Sequence, residues 1–184
     1  MFSEERVTQM AAYFLIESGR RIAYIKLLKL LYLAERKALA KWGSSMSGDR
    51  FVSMPHGPVL SQTYDLIRGH QSEPSYWQTC IKDEENYEVS LEQTITVDDL
   101  DELSRSELRI LGEVFAEFGH MSRFEIVNYT HDHCEEWADP NGSSFPIKPE
   151  SILRAVGKDE SQISQLLAKF REDSQLDIVR AALR

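Results

Sequence analysis

The sequence predicts a mainly α fold: a compact helical domain around one central buried helix, with a small β-hairpin or sheet inserted (a minor α+β component). Three observations carry this reading. Apolar residues recur at the helical i, i+3, i+4, i+7 spacing in both halves of the 184-residue chain. Three start signals with capping-box spacing stand in the second half: Ser104-x-x-Glu107, Ser122-x-x-Glu125 and Asp159-x-x-Gln162. Strand-like alternation, as in Tyr87, Val89 and Leu91, is confined to the middle.

Taken in order, the first helix starts at Ser3, carries Val7, Met10, Ala11, Phe14 and Leu15 on one stripe, and stops at Gly19. The segment from Tyr24 to Trp42, "YIKLLKLLYLAERKALAKW", gives the strongest helical signal. Leu27, Leu28, Leu31, Ala34, Ala38 and Trp42 form its stripe, and Leu30 and Leu33 widen it beyond what a surface helix needs. Gly43 is placed as its left-handed terminator. Phe51 and Val52 suggest a short extended piece, and Pro58 then suits the first turn of a new helix running to Gly69. Trp77 to Ile81 and Tyr87 to Leu91 read as a hairpin around an acidic turn, extended by Ile95 and Val97. The helix from Ser104 points Leu108, Leu111, Phe115 and Phe118 inward and ends at Gly119. The helix from Ser122 buries Phe124, Val127, His131 and Cys134. Pro149 opens a short helix with Ile152, Leu153 and Val156. Asp159 caps a tail helix bearing Ile163, Leu166, Leu167 and Phe170, followed by a polar break, "REDSQ", and a last short helix with Leu176 and Val179.

The length suits one domain, or one domain with an appendage. Two cysteines, Cys80 and Cys134, are too few for a disulfide framework, which points to a reducing cytoplasm. The first residues lack the pattern of a signal peptide, and no apolar run spans a membrane. A net charge of −9 disfavours nucleic acid. That charge is segregated. A basic run covers Arg20 to Lys41, opposed by Glu35 alone, and an acidic run covers Asp83 to Glu102 without a base. The two runs are expected to attract one another within the fold, or else to form a surface that receives a basic partner.

The stretch "YTHDHCEEW", Tyr129 to Trp137, raises the question of a metal site or a Cys/His nucleophile. Residues two apart on a helix do not face each other, so His131 and His133 cannot share a metal. His131 and Cys134 can, but zinc wants two more ligands, and Cys80, His56, His70 and His120 show no paired spacing. A reactive cysteine needs an electropositive setting, whereas Glu135 and Glu136 follow Cys134. A hydrogen-bonded core histidine and an inert buried cysteine are expected instead. Glycine-rich phosphate loops, G-x-S-x-G and H-E-x-x-H are all missing from the sequence. The reading is therefore a protein without catalytic residues, metal or cofactor.

Four pieces in order resemble the Panacea domain, the SocA- and GepA-like group of bacterial and phage antitoxins. They are "MAAYFL" at Met10 to Leu15, "IKLLKLLYLAE" at Ile25 to Glu35, "HGPV" at His56 to Val59, and "SRFEIVNYTH" with Trp137. Leu28 stands where the family often has Gln, and His56 where an aromatic commonly precedes Gly-Pro. The resemblance spans about Glu5 to Gly157, which divides the chain into a Panacea-like domain, 1–157, and a helical tail, 158–184. It implies a non-enzymatic cytoplasmic antitoxin, linked to phage defence, that binds a cognate protein toxin encoded by a neighbouring gene. A homodimer is the further partner considered. A DNA-binding autorepressor of its own operon is the alternative, supported by the basic run alone. Candidate partner contacts are Lys26, Lys29 and Arg36 of the basic helix, His56 at the Gly-Pro turn, Glu84, Glu85 and Glu88 of the acidic run, and Leu166 and Phe170 of the tail.

Overall fold

The structure, a computed structural model, describes residues 1–70 and 75–182, with side chains through Lys169 and then at Arg171, Glu172 and Gln175. Its elements in chain order are α1 (Glu4–Glu17), β1 (Arg21–Ala23), α2 (Tyr24–Trp42), β2 (Phe51–Met54), β3 (Gly57–Leu60), α3 (Ser61–Ile67), α4 (Tyr76–Cys80), β4 (Ile81–Glu84), β5 (Glu88–Leu91), α5 (Arg105–Phe118), α6 (Arg123–His133), β6 (Phe145–Pro146), α7 (Pro149–Ala155) and α8 (Glu160–Ala182). Two small antiparallel sheets, ordered β1-β5-β4 and β3-β2-β6, flank the helices. The fold is mainly α with a minor β component.

Every residue from Leu27 to Glu35 is buried, so α2 has no solvent face over that stretch. It packs against α1, α3, α5, α6 and α7 and against β1 and β3. Its end is set by Gly43, whose φ of 70° is left-handed and whose N–H closes on the Leu39 carbonyl at 2.8 Å. A side chain there would also meet Leu166 of α8 at 2.6 Å. Glu35, fully buried, accepts hydrogen bonds from the Met46 and Ser47 amides at 2.8 and 2.6 Å and so ties the following loop to the helix. Asp49 plays the same part for α3, which has no cap of its own. Its carboxylate accepts from the amides of Gln62 and Thr63 and from the Thr63 hydroxyl, at 2.7–2.9 Å.

The boxes at Ser104 and Ser122 close as read, each with a reciprocal bond to the glutamate three residues on. Asp159 and Gln162 exchange the same pair of bonds at the start of α8.

Several expectations need correction. Pro58 does not open a helix. It lies in β3, an edge strand, where a missing N–H on the outer side costs nothing, and α3 begins at Ser61. The residues before the acidic turn, Tyr76–Cys80, are one helical turn rather than a strand arm. The hairpin is β4 with β5, extended by β1 instead of by Ile95 and Val97. The inward residues of α5 are Ile110, Leu111, Val114 and Phe118, with Leu108 and Phe115 at the margin. The tail is one helix through "REDSQ", which holds neither Gly nor Pro to stop it. The side chains of Phe170, Leu176 and Val179 lie outside the described residues.

The two charge runs meet only in part. Arg21 pairs with Glu88 and reaches Glu84 at 3.9 Å. Farther along α2, Lys37 and Lys41 pair instead with Glu113 of α5, and Arg36 with Glu136.

Candidate functional site: an aromatic groove above the Gly-Pro turn

The β2–β3 turn, Pro55-His56, with Gly57 opening β3, is held from below by α2 and α6. Lys29, fully buried, donates from Nζ to the Pro58 carbonyl at 2.9 Å. Gly57 has a φ of +92°, and a Cβ on it would meet Thr130 Oγ1 at 2.8 Å, Lys29 Nζ at 2.9 Å and the His131 ring at 3.2 Å. Both conformation and space therefore demand glycine. The His131 ring stacks on Trp137 at 4.2 Å and 7°, and the Trp137 indole donates to the Met54 carbonyl at 2.9 Å. A neighbouring clamp uses Glu136, whose buried carboxylate accepts from the Tyr32 hydroxyl at 2.6 Å and from Arg36 at 2.7 Å. Lys29, the Gly-Pro pair, Thr130, His131 and Trp137 are thus one contact cluster, although 108 positions separate its ends.

Charge in this cluster follows burial. Burial lowers the Lys29 amine to about 7. The Cys134 thiol is pushed up to about 12, by burial first and then by Glu136. His131 is lowered by burial first and then by Lys29, which disfavours its charged form. Its Nε2 is buried without a hydrogen-bond partner, so the expected bonded core histidine is replaced by a stacked one. Among the described residues no three His, Cys, Asp or Glu side chains gather as a metal site would require.

A pH dependence follows. A lysine lowered on folding binds fewer protons in the native than in the unfolded state between about 7 and the ordinary 10.5. Stability contributed by Lys29 therefore rises with pH across that window. Above pH 9 the raised thiol of Cys134 acts in the opposite sense, so the Lys29 effect is clearest between pH 7 and 9. Urea titrations at pH 7 and 9 should show the wild type gaining up to about 1.4 kcal/mol per pH unit relative to Lys29→Met. Equal slopes in the two proteins would show that Lys29 keeps its charge when folded.

Above this base lies an open groove of ≈280 Å³ lined by Tyr24, Ile25, His56, Tyr87, Arg123, Phe124 and Val127. Two of its rings stand in water, Tyr87 at 73% and Phe124 at 67% exposed. Phe124 was expected in the core. The buried face of α6 is instead Ile126 and Thr130, leading to Cys134, which turns Phe124 and Val127 toward the groove. The Arg123 guanidinium lies 4.9 Å from the Phe124 ring centre. Tyr87 packs edge-on to Tyr24, centroids 6.2 Å apart. It follows Asn86 at the hairpin tip, and both are left-handed, with φ of 63° and 64°. For tyrosine that conformation costs roughly 1–2 kcal/mol. A strained backbone here presents a ring to solvent instead of burying it.

Sequence reasoning found His56 in this groove and missed the aromatic residues. Of the other candidates, Glu88 follows Tyr87, Glu85 stands two residues before it, and Glu84 ends β4. Lys26 donates to the Gly119 carbonyl at 2.7 Å. Lys29 and Arg36 point inward to the bonds described above. Leu166 lies against Gly43, away from the groove.

The model of the antitoxin SocA-like, Panacea domain family matches residues 27–138, more than half of the chain. The chain belongs to this family. The matched region begins within α2 and ends just past Trp137, so it takes in every member of the cluster around the Gly-Pro turn. "MAAYFL" in α1 falls outside it. No curated protein and no solved structure matches the chain. No described helix is long and apolar enough to cross a membrane.

Proposed function

We propose that this Panacea protein is the antitoxin of a bacterial or phage toxin–antitoxin pair and neutralises its toxin by direct binding at the aromatic groove. One observation carries the reading: Tyr87 and Phe124 are held in water by backbone strain and helix orientation, on the surface above the family's own residues. Exposed aromatic rings beside a preformed depression are what a protein interface uses as anchors. In this reading α2 is the central helix of the fold, and Lys29 serves the interface by fixing the turn that carries His56.

A non-enzymatic, cytoplasmic role accords with a thiol raised by burial and with the family description. The autorepressor reading has less support. Among the described residues, Arg21, Arg36, Lys37 and Lys41 make ion pairs and Lys29 is buried, which leaves little of the basic run to track phosphates. The test is co-expression with the product of the neighbouring reading frame. Growth should be rescued and the two proteins should copurify; rescue without any complex would overturn direct binding.

We also propose the division into a body, 1–157, and a tail, 158–184. Ile163 of α8 is 3% exposed, and Lys169 donates to the Trp42 carbonyl at 3.3 Å, so α8 packs back onto the body. Truncation after Gly157 is expected to lower the melting temperature and leave rescue intact. An unchanged melting temperature with loss of rescue would move the toxin contact to the tail.

A further inference from the structure

The groove has two electrically different ends. At the hairpin end, Glu84, Glu85 and Glu88 stand on either side of Tyr87, with Lys82, Arg21 and, beside Tyr24, Arg68 as nearby cations. Lys82 reaches Glu84 and Glu92, and Arg21 reaches Glu84 and Glu88. Glu85 makes no ion pair among the described residues and is exposed, whereas Asp83 lines a separate depression with Leu66 and Trp77. At the other end, Arg123 lies against Phe124 and brings a positive charge. The apolar floor between them, with Ile25 and Val127, has room for a large apolar side chain.

We infer that the groove takes a segment of the toxin built as an apolar anchor with lysine or arginine on one side of it, the basic residues lying over the hairpin tip. This rests on the groove being the toxin contact and adds the chemistry of what enters it. Charge decides the occupant and its direction. Basic residues over Glu85 gain attraction, whereas at the Arg123 end they are repelled, so only one orientation satisfies both ends. A second copy of this chain would bring the same acidic tip and a net charge of −9, and it is disfavoured on the same ground.

A random dodecapeptide library displayed on phage and selected on the immobilised full chain tests this. Phe124→Ser, Tyr87→Asn and the charge reversal Glu85→Lys serve as comparison baits. All three positions are exposed, and Asn tolerates the left-handed backbone at 87. Equal melting temperatures establish that the baits are folded. The expected result is enrichment of peptides with Leu, Met, Phe or Trp flanked by Lys or Arg. Their affinity should fall about 30-fold with Phe124→Ser or Tyr87→Asn, and about tenfold with the charge reversal. Apolar peptides without basic residues, lost with Phe124→Ser but indifferent to the reversal, would leave the groove as the contact and overturn the basic segment. Peptides that bind all baits equally would overturn the groove itself, as would failure to enrich any. Self-association of the wild type that Phe124→Ser abolishes would assign the groove to a second copy.

Discussion

Leu31→Ala should lower the unfolding free energy by ~2–5 kcal/mol, the range for deleting a large side chain from a close-packed core. Leu31 is wholly buried in the middle of α2, with Leu27, Leu28, Leu30 and Ala34 equally enclosed around it. Helices pack against several sides of α2, so no single neighbour can move in to fill the void without disturbing another. Chemical denaturation with an unchanged slope against denaturant is the measurement. A loss under about 0.5 kcal/mol is what surface changes cause, and it would remove α2 from the centre of the fold.

The second large effect is on function. Phe124→Ser together with Tyr87→Asn should abolish rescue from the toxin while leaving the melting temperature within a few degrees of wild type. Truncating an anchor ring in an interface costs about 2 kcal/mol or more, so losing two should cost several orders of magnitude in affinity. Neither ring contributes much burial to the folded chain, and replacing Tyr87 by Asn removes strain from the tip. Rescue by the double variant at wild-type expression would place the toxin contact elsewhere.

The helices were legible where a local chemical signal marked them. Ser104 and Ser122 close their boxes with Glu107 and Glu125, and Gly43 ends α2, because each signal acts over three or four residues. Tyr76–Cys80 was not legible. A five-residue run, Tyr-Trp-Gln-Thr-Cys, fits a strand arm as well as a helical turn, and β1 is shorter still. On α6 two stripes compete, Phe124-Val127-His131 and Ile126-Thr130, and periodicity alone cannot say which one meets the core. Packing of Ile126 and Thr130 decides it.

The groove was hidden for a related reason. Tyr24, Tyr87 and Phe124 come from the first residue of one helix, a hairpin tip and the first turn of another helix. Nothing in their local sequence joins them. The family's quoted motifs mark instead the base: Lys29 under Pro58, Gly57 against Thr130, and His131 on Trp137. What the chain displays above that base depends on side chains in other segments, and only the tertiary contacts bring them together.

Hydrogen–deuterium exchange of the full chain, free and saturated with its toxin, tests the groove most directly. Binding there should slow exchange at Tyr24 and Ile25, at the 54–57 turn, across the 84–88 hairpin tip and in the first turn of α6, leaving α8 unchanged. Protection confined to α8 or to the α5 surface, with those four segments exchanging as in the free protein, would contradict it.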